Sequence, residues 1–142
     1  MDAEYAISLA ITEYRDGVNS GDLDRSMTAI AEGLTLMTDG EPTFWGKEGH
    51  DVLRWRWQEL TAKNRINLEV ILGFLKIFGG FAFAWGWEIV DVTPKDGGQP
   101  YSVRNRYFQI WQKETDQAWR MSSFMTNKDL PPAMAPKELS SK

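Results

Sequence analysis

The chain has 142 residues, a formal net charge of −4 and no cysteine, which suits one domain with a substantial core and removes disulfide scaffolds and thiolate chemistry. No basic run exceeds two residues, which argues against a nucleic-acid footprint, and no apolar run approaches the ~18 residues of a membrane-spanning helix. Asp2, Glu4, Glu13 and Asp16 interrupt the N-terminal apolar pattern where a signal peptide would be continuous, so a soluble, cytoplasmic protein with no nucleic-acid or membrane partner is expected.

Ile7, Ile11, Tyr14 and Val18 fall at helical spacing and predict an amphipathic helix over residues 2–17, ended by Gly17, Asn19 and Gly21. Asp22 is a good N-cap for a shorter helix that turns Leu23, Met27 and Ile30 inward, and Gly33 stops it. Residues 34–38 read as a short strand, with Asp39-Gly40-Glu41-Pro42 as its turn. A third helix over about 47–62 follows Gly46 and carries Leu53, Trp57 and Leu60 on one stripe.

Asn67–Val92 then reads as a long β-hairpin broken at Gly79-Gly80. On its second limb Phe81, Phe83, Trp85, Trp87 and Ile89 share one parity, while Ala82, Ala84 and Gly86 share the other, so the two sets face opposite sides of a sheet. Both faces are too apolar for water. A polar loop spans residues 94–100, a strand covers 101–112, Glu114–Gln117 turns the chain, and the last strand covers 119–126. From Pro131 the Pro, Ala, Lys and Ser content predicts a loose tail, which leaves one domain over residues 1–130.

Three helices and an antiparallel or mixed sheet make an α+β fold, in which one strongly curved sheet wraps the helices and encloses a cone-shaped cavity. Four local features resemble the cystatin-like superfamily that includes nuclear transport factor 2, ketosteroid isomerase and the SnoaL-like polyketide cyclases. These are Tyr14 through Asn19-Ser20-Gly21-Asp22-Leu23-Asp24, the helix-opening Gly46, the Gly79-Gly80-Phe81-Ala82-Phe83-Ala84 turn, and Trp119-Arg120-Met121. The resemblance covers residues 3–130 in order and spacing. It implies this fold, pairing of two copies through the sheet, and a pocket, but the scaffold hosts isomerases, dehydratases, hydrolases, cyclases and binding modules alike.

Ketosteroid isomerases resemble this chain at Tyr14, which matches their catalytic tyrosine. Their proton-shuttling aspartate falls on Thr38, with Asp39 one residue out of phase, and their second acid falls on Arg106. Threonine cannot take a proton from carbon, so steroid isomerisation by that route is not supported. The pocket positions of the third sheet strand fall on Trp85, Trp87 and Ile89.

Two roles are open to Tyr14: hydrogen-bond donor to a ligand oxygen, or core ring with its hydroxyl bonded to a neighbour. Arg106 shares parity with Phe108 and Ile110 on the face expected to be inside, where its charge needs a ligand anion or an internal acid such as Asp39 or Glu88, the alternative being exposure near the strand end. His50, the only histidine, is either a general base at the pocket wall or an ordinary helix residue. With no second His and no Cys at ligand spacing, neither a metal nor another cofactor is called for. Trp57, Trp85, Trp87 and Phe108 either line a pocket or fill the cone.

The resulting expectation is a homodimer whose aromatic pocket takes a small apolar or aromatic, and by virtue of Arg106 anionic, molecule. Catalysis, if present, would use Tyr14 to stabilise negative charge, Asp39 or His50 to move a proton, and Thr38 and Arg106 to orient the ligand. The alternative is a non-enzymatic assembly module, which predicts a filled cone.

Overall fold

The computed structural model describes residues 2–130; the tail expected over 131–142 lies outside the described residues. In chain order the elements are α1 (Ala3–Ser20), α2 (Leu23–Met27), β1 (Ile30–Thr38), α3 (Gly46–Lys63), β2 (Asn64–Phe78), β3 (Phe81–Pro94), β4 (Tyr101–Lys113) and β5 (Trp119–Lys128). The five strands form one curved, mixed sheet in the order β1-β5-β4-β3-β2, with β1 parallel to β5 and every other pair antiparallel.

Helix α1 outlasts its expected end by three residues and is closed by the Gly21 and Asp22 amides, which donate to the Val18 and Gly17 carbonyls. Asp22 caps α2 by accepting the Arg25 amide, as its residue type predicts. Ile30, expected at the end of that helix, instead opens β1 opposite Met121, because a β-branched residue followed by alternating burial is satisfied better by a strand partner. The Asn19 side chain accepts the Leu68 amide at 2.6 Å and donates to the Leu68 carbonyl at 3.0 Å, so it occupies the place of a neighbouring strand on the free edge of β2.

The orientation of the hairpin is the reverse of the one expected. Ala82, Ala84, Gly86, Glu88, Val90 and Val92 are the buried set on β3, while Phe81, Phe83 and Trp85 are exposed on the outer face. On β4 the buried set is Tyr107, Gln109 and Trp111, and Arg106 and Phe108 lie outside. The cause is curvature. The concave face of a bent sheet has less room per residue than the convex face, so the small side chains sit where the helices approach.

A bulge produces part of that bend. Pairing passes from Leu72 opposite Gly86 to Phe74 opposite Trp85, which leaves Gly73 as an extra residue. Leu68 and Val70 therefore share the inner face with Val90 and Glu88, whereas Phe74 and Phe78, of the same parity in sequence, pair with outer residues. Both glycines at the bulge are required by close approach. A Cβ on Gly86 would lie 2.0 Å from the Ile71 carbonyl oxygen, and one on Gly73 would lie 2.6 Å from the Trp85 ring. On the outer face Trp85 stacks on Phe74 at 5.9 Å and 9°.

The core between helices and sheet is built on Ile7, Val18, Leu34, Leu36, Leu68, Trp111 and Met121, all fully buried. The Trp111 indole donates to Gln109 Oε1 at 3.0 Å, so both buried polar groups find a partner. Gly86→Ala, which drives a methyl group into backbone that cannot retreat, is expected to lower unfolding free energy by about 3 kcal/mol in urea titration.

Candidate functional site

The helices do not fill the concave face. A cavity of about 280 Å³ remains towards the end of the sheet where β1 and β5 finish and β4 begins. Leu36, Leu53, Leu60, Val90, Val92 and Phe124 give it apolar walls, and Tyr14, Thr38, Arg56, Glu88 and Asn105 are the main polar groups on it. Each arrives by local periodicity. Leu53, Arg56, Trp57 and Leu60 are one stripe of α3, and Glu88, Val90 and Val92 are alternate residues of β3.

Tyr14 is 3% exposed, with its ring edge-on to both Trp57 and Phe124. Its oxygen accepts a hydrogen bond from Trp57 Nε1 at 2.7 Å. An indole nitrogen can only donate, so the phenolic hydrogen of Tyr14 stays available for another acceptor. Burial first, and the nearby Glu88 charge second, hold its pKa well above the ordinary tyrosine value. At neutral pH this group is a donor and not a base.

Glu88 is 4% exposed, and its Oε1 is buried without a hydrogen-bond partner among the described residues. Its register partners on the inner face are Val70 of β2 and Asn105 of β4. Burial pushes its pKa up to about 7, since nothing charged near it favours the ionised form. A carboxyl poised near neutrality can both give and take a proton, and that is the requirement for acid–base work. The same burial and the Glu88 charge raise the pKa of Tyr107, whose hydroxyl donates to the Ile71 carbonyl at 3.3 Å.

Arg56 stands at the rim. Its Nη1 donates to Thr38 Oγ1 at 2.7 Å, its other terminal nitrogen pairs with Glu41, and the guanidinium lies 5.9 Å from the centre of the Phe44 ring. Its charge is therefore already engaged.

Of the residues expected at the site, Tyr14, Thr38 and Trp57 meet on the cavity. Asp39 is exposed in the turn after β1, its amide donating to the Thr126 carbonyl at 3.0 Å. His50 is half-buried on α3 with Nδ1 3.2 Å from Asp51 Oδ1, away from the cavity. Trp85, Trp87, Arg106 and Phe108 do not face the hollow; they border a separate groove of about 440 Å³ on the outer face of the sheet. Arg106 there donates to Asn127 Oδ1 at 2.6 Å and is paired with neither Asp39 nor Glu88. All four were displaced together by one inverted face.

Sequence reasoning missed Glu88, Arg56 and Asn105 as site residues. The signal for Glu88 was present: it is the single charged residue in the even-numbered run 82–92, whose other members are alanine, glycine and valine. Arg56 was also readable, three residues from Leu53 and four from Leu60 on the stripe already identified.

No protein-family model matches the sequence, and no curated protein matches it. Solved structures do. A conserved protein from Planctomyces limnophilus superposes with a TM-score of 0.79 at 13% identity, over 89% of this chain and 97% of that one. A ketosteroid isomerase-like protein from Erwinia carotovora atroseptica gives 0.73 at 18% identity, covering 92% of this chain and 100% of the other. A nuclear transport factor 2-like superfamily protein from Salmonella enterica gives 0.75 at 12% identity, over 96% of this chain and 99% of its own. This chain therefore has the α+β cone fold of the nuclear transport factor 2-like and ketosteroid isomerase-like superfamily, the one its sequence resembles.

Proposed function

We propose that the chain is a small-molecule-binding protein that takes a compact, largely apolar ligand into the cone, where Tyr14 donates a hydrogen bond to it and Glu88 exchanges a proton with it. The observation that carries this reading is the buried Glu88 carboxyl, its Oε1 unpaired among the described residues, on a cavity with largely apolar walls that also holds a free Tyr14 hydroxyl hydrogen. Leaving a buried polar atom unpaired costs roughly 1–3 kcal/mol, and a ligand group that pairs with it recovers that cost. The cavity lies close to the lower end of small-molecule sites, roughly 300–1,000 Å³, so the ligand is of about ten heavy atoms. The reaction class that fits such a pair is proton transfer of the isomerase or dehydratase kind, with the carrier at Glu88 in place of the Asp39 or His50 expected from the sequence.

The assembly-module alternative predicts a filled cone, and the open cavity speaks for the ligand-binding reading instead. Self-association is a separate part of the proposal. Phe74, Phe78, Phe81, Phe83, Trp85 and Phe108 are all exposed on the outer face of the sheet, a patch of the kind that pairs two copies into a homodimer.

Small cyclic probe molecules are expected to raise the melting temperature and change Trp57 fluorescence. Tyr14→Phe should weaken their binding about fivefold, the effect of one neutral hydrogen bond, and unchanged binding would remove Tyr14 from the site. Trp85→Ala should leave probe binding intact and shift sedimentation towards monomer; loss of binding would return Trp85 to the site.

Glu88 also ties stability to pH. Near and below the ordinary glutamate value of 4.5 the carboxyl is neutral in both folded and unfolded chains. Between that value and about 7 only the unfolded chain ionises, so stability falls as pH rises, and above about 7 the loss is complete. The full difference corresponds to about 3 kcal/mol. Glu88→Gln should match the parent near about pH 4 and exceed its unfolding free energy by up to about 3 kcal/mol above about pH 8, in paired denaturant titrations.

A further inference from the structure

We propose that the ligand of this cavity carries a basic amine, and that its ammonium group sits against the Glu88 carboxylate. The proposal rests on the small-molecule-binding part of the reading above and not on its proton-transfer part, because a Glu88 carboxylate paired with an ammonium is a binding group and no longer a proton carrier.

Glu88 has no counter-charge among the described residues. The ionisable and polar groups that share the cavity with Glu88 or feel its charge are Tyr14 from α1, Thr38 from β1, Arg56 from α3, Asn105, Tyr101 and Tyr107 from β4, and Thr126 from β5, while β2 offers Val70. Arg56 is the one cation on the cavity among the described residues, and Thr38 and Glu41 already engage it at the rim. The rest are neutral, with Tyr14 and Tyr107 held as phenols. Glu88 is therefore a buried carboxyl whose Oε1 has no partner among the described residues.

An organic anion entering this space loses its hydration without a free cation in return, and above about pH 7 it also meets a like charge. An ammonium supplies both the charge and the donors that Oε1 lacks. Aromatic rings of Tyr14, Trp57, Tyr101 and Phe124 line the same space, and ring faces attract cations. Arg106, the basis for expecting an anionic ligand, is on the other side of the sheet.

The proton balance follows. In the empty cavity below about pH 7, Glu88 holds its proton. When R–NH3+ binds, the carboxyl ionises to form the pair and that proton leaves to solvent; above that pH the carboxyl is already ionised and no proton is released. Affinity for an amine should therefore rise with pH by about tenfold per unit between about pH 5 and 7, then level off.

Isothermal titration of the full chain with benzylamine, benzyl alcohol and benzoate, in buffers of different ionisation enthalpy, tests this. Benzylamine should bind most tightly, releasing about one proton at about pH 5 and none above about pH 8. Glu88→Gln should abolish both the pH slope and the preference for amine over alcohol. Binding of benzyl alcohol or benzoate at least as tightly as benzylamine above about pH 8 would overturn the amine assignment while leaving the cavity reading standing. So would benzylamine binding with no proton released at about pH 5, a measurement on the parent chain that needs no variant. If none of the three binds, the amine assignment and the small-molecule reading both fall.

Discussion

The two faces of a bent sheet are not equivalent. On the concave side, strands converge over the helices and each residue has little volume; on the convex side, side chains spread apart. In this chain the requirement is met by Ala82, Ala84 and Gly86 inside and by Phe81, Phe83 and Trp85 outside. The bulge at Gly73 sharpens the bend and brings the Gly86 backbone so close to Ile71 that no side chain fits between them. The cavity, the burial of Glu88 and the exposed aromatic ladder all follow from which face of the hairpin turns inward.

The elements themselves were legible. Caps, periodicity and the Gly-Gly turn placed three helices and five strands in the right order, because they reflect local chemistry. The facing of the hairpin was not legible from hydrophobicity. Both of its sides are apolar, so the usual rule of apolar inside and polar outside does not discriminate between them, and the larger stripe is the natural choice for a core. Volume decides instead, and volume depends on curvature that the sequence shows only through Gly73 and Gly86. Within β2 the bulge further breaks the period of two, so Val70 and Phe74 share a parity and yet lie on opposite faces. Tyr14, Thr38 and Trp57 reach the cavity because they sit on helix stripes and a strand end whose facing is unambiguous. Trp85, Trp87, Arg106 and Phe108 were misplaced as a group, and Glu88 was overlooked for the same reason.

The site combines two polar groups in different states of satisfaction. The Tyr14 oxygen is fixed by the Trp57 indole, which leaves its hydrogen to act outward. Glu88 has no such anchor and owes its elevated pKa to desolvation alone. A network that satisfied the carboxyl internally, for instance through a cation in place of Asn105, would lower its pKa and remove its capacity to exchange protons near neutrality. Chemical usefulness and incomplete pairing are here the same property.

Asn19 holds the far end of α1 to the backbone of Leu68, and Leu68 lies opposite Val90, two residues along β3 from Glu88. Tyr14, on the preceding turns of that helix, is thus located with respect to Glu88 through the Asn19 side chain and the strand backbone, with no direct bond between the two side chains among the described residues. Such a frame tolerates exchange of either group without moving the other. New reactivity can then be tried one position at a time on an unaltered skeleton, a route by which a single architecture accumulates unrelated chemistries.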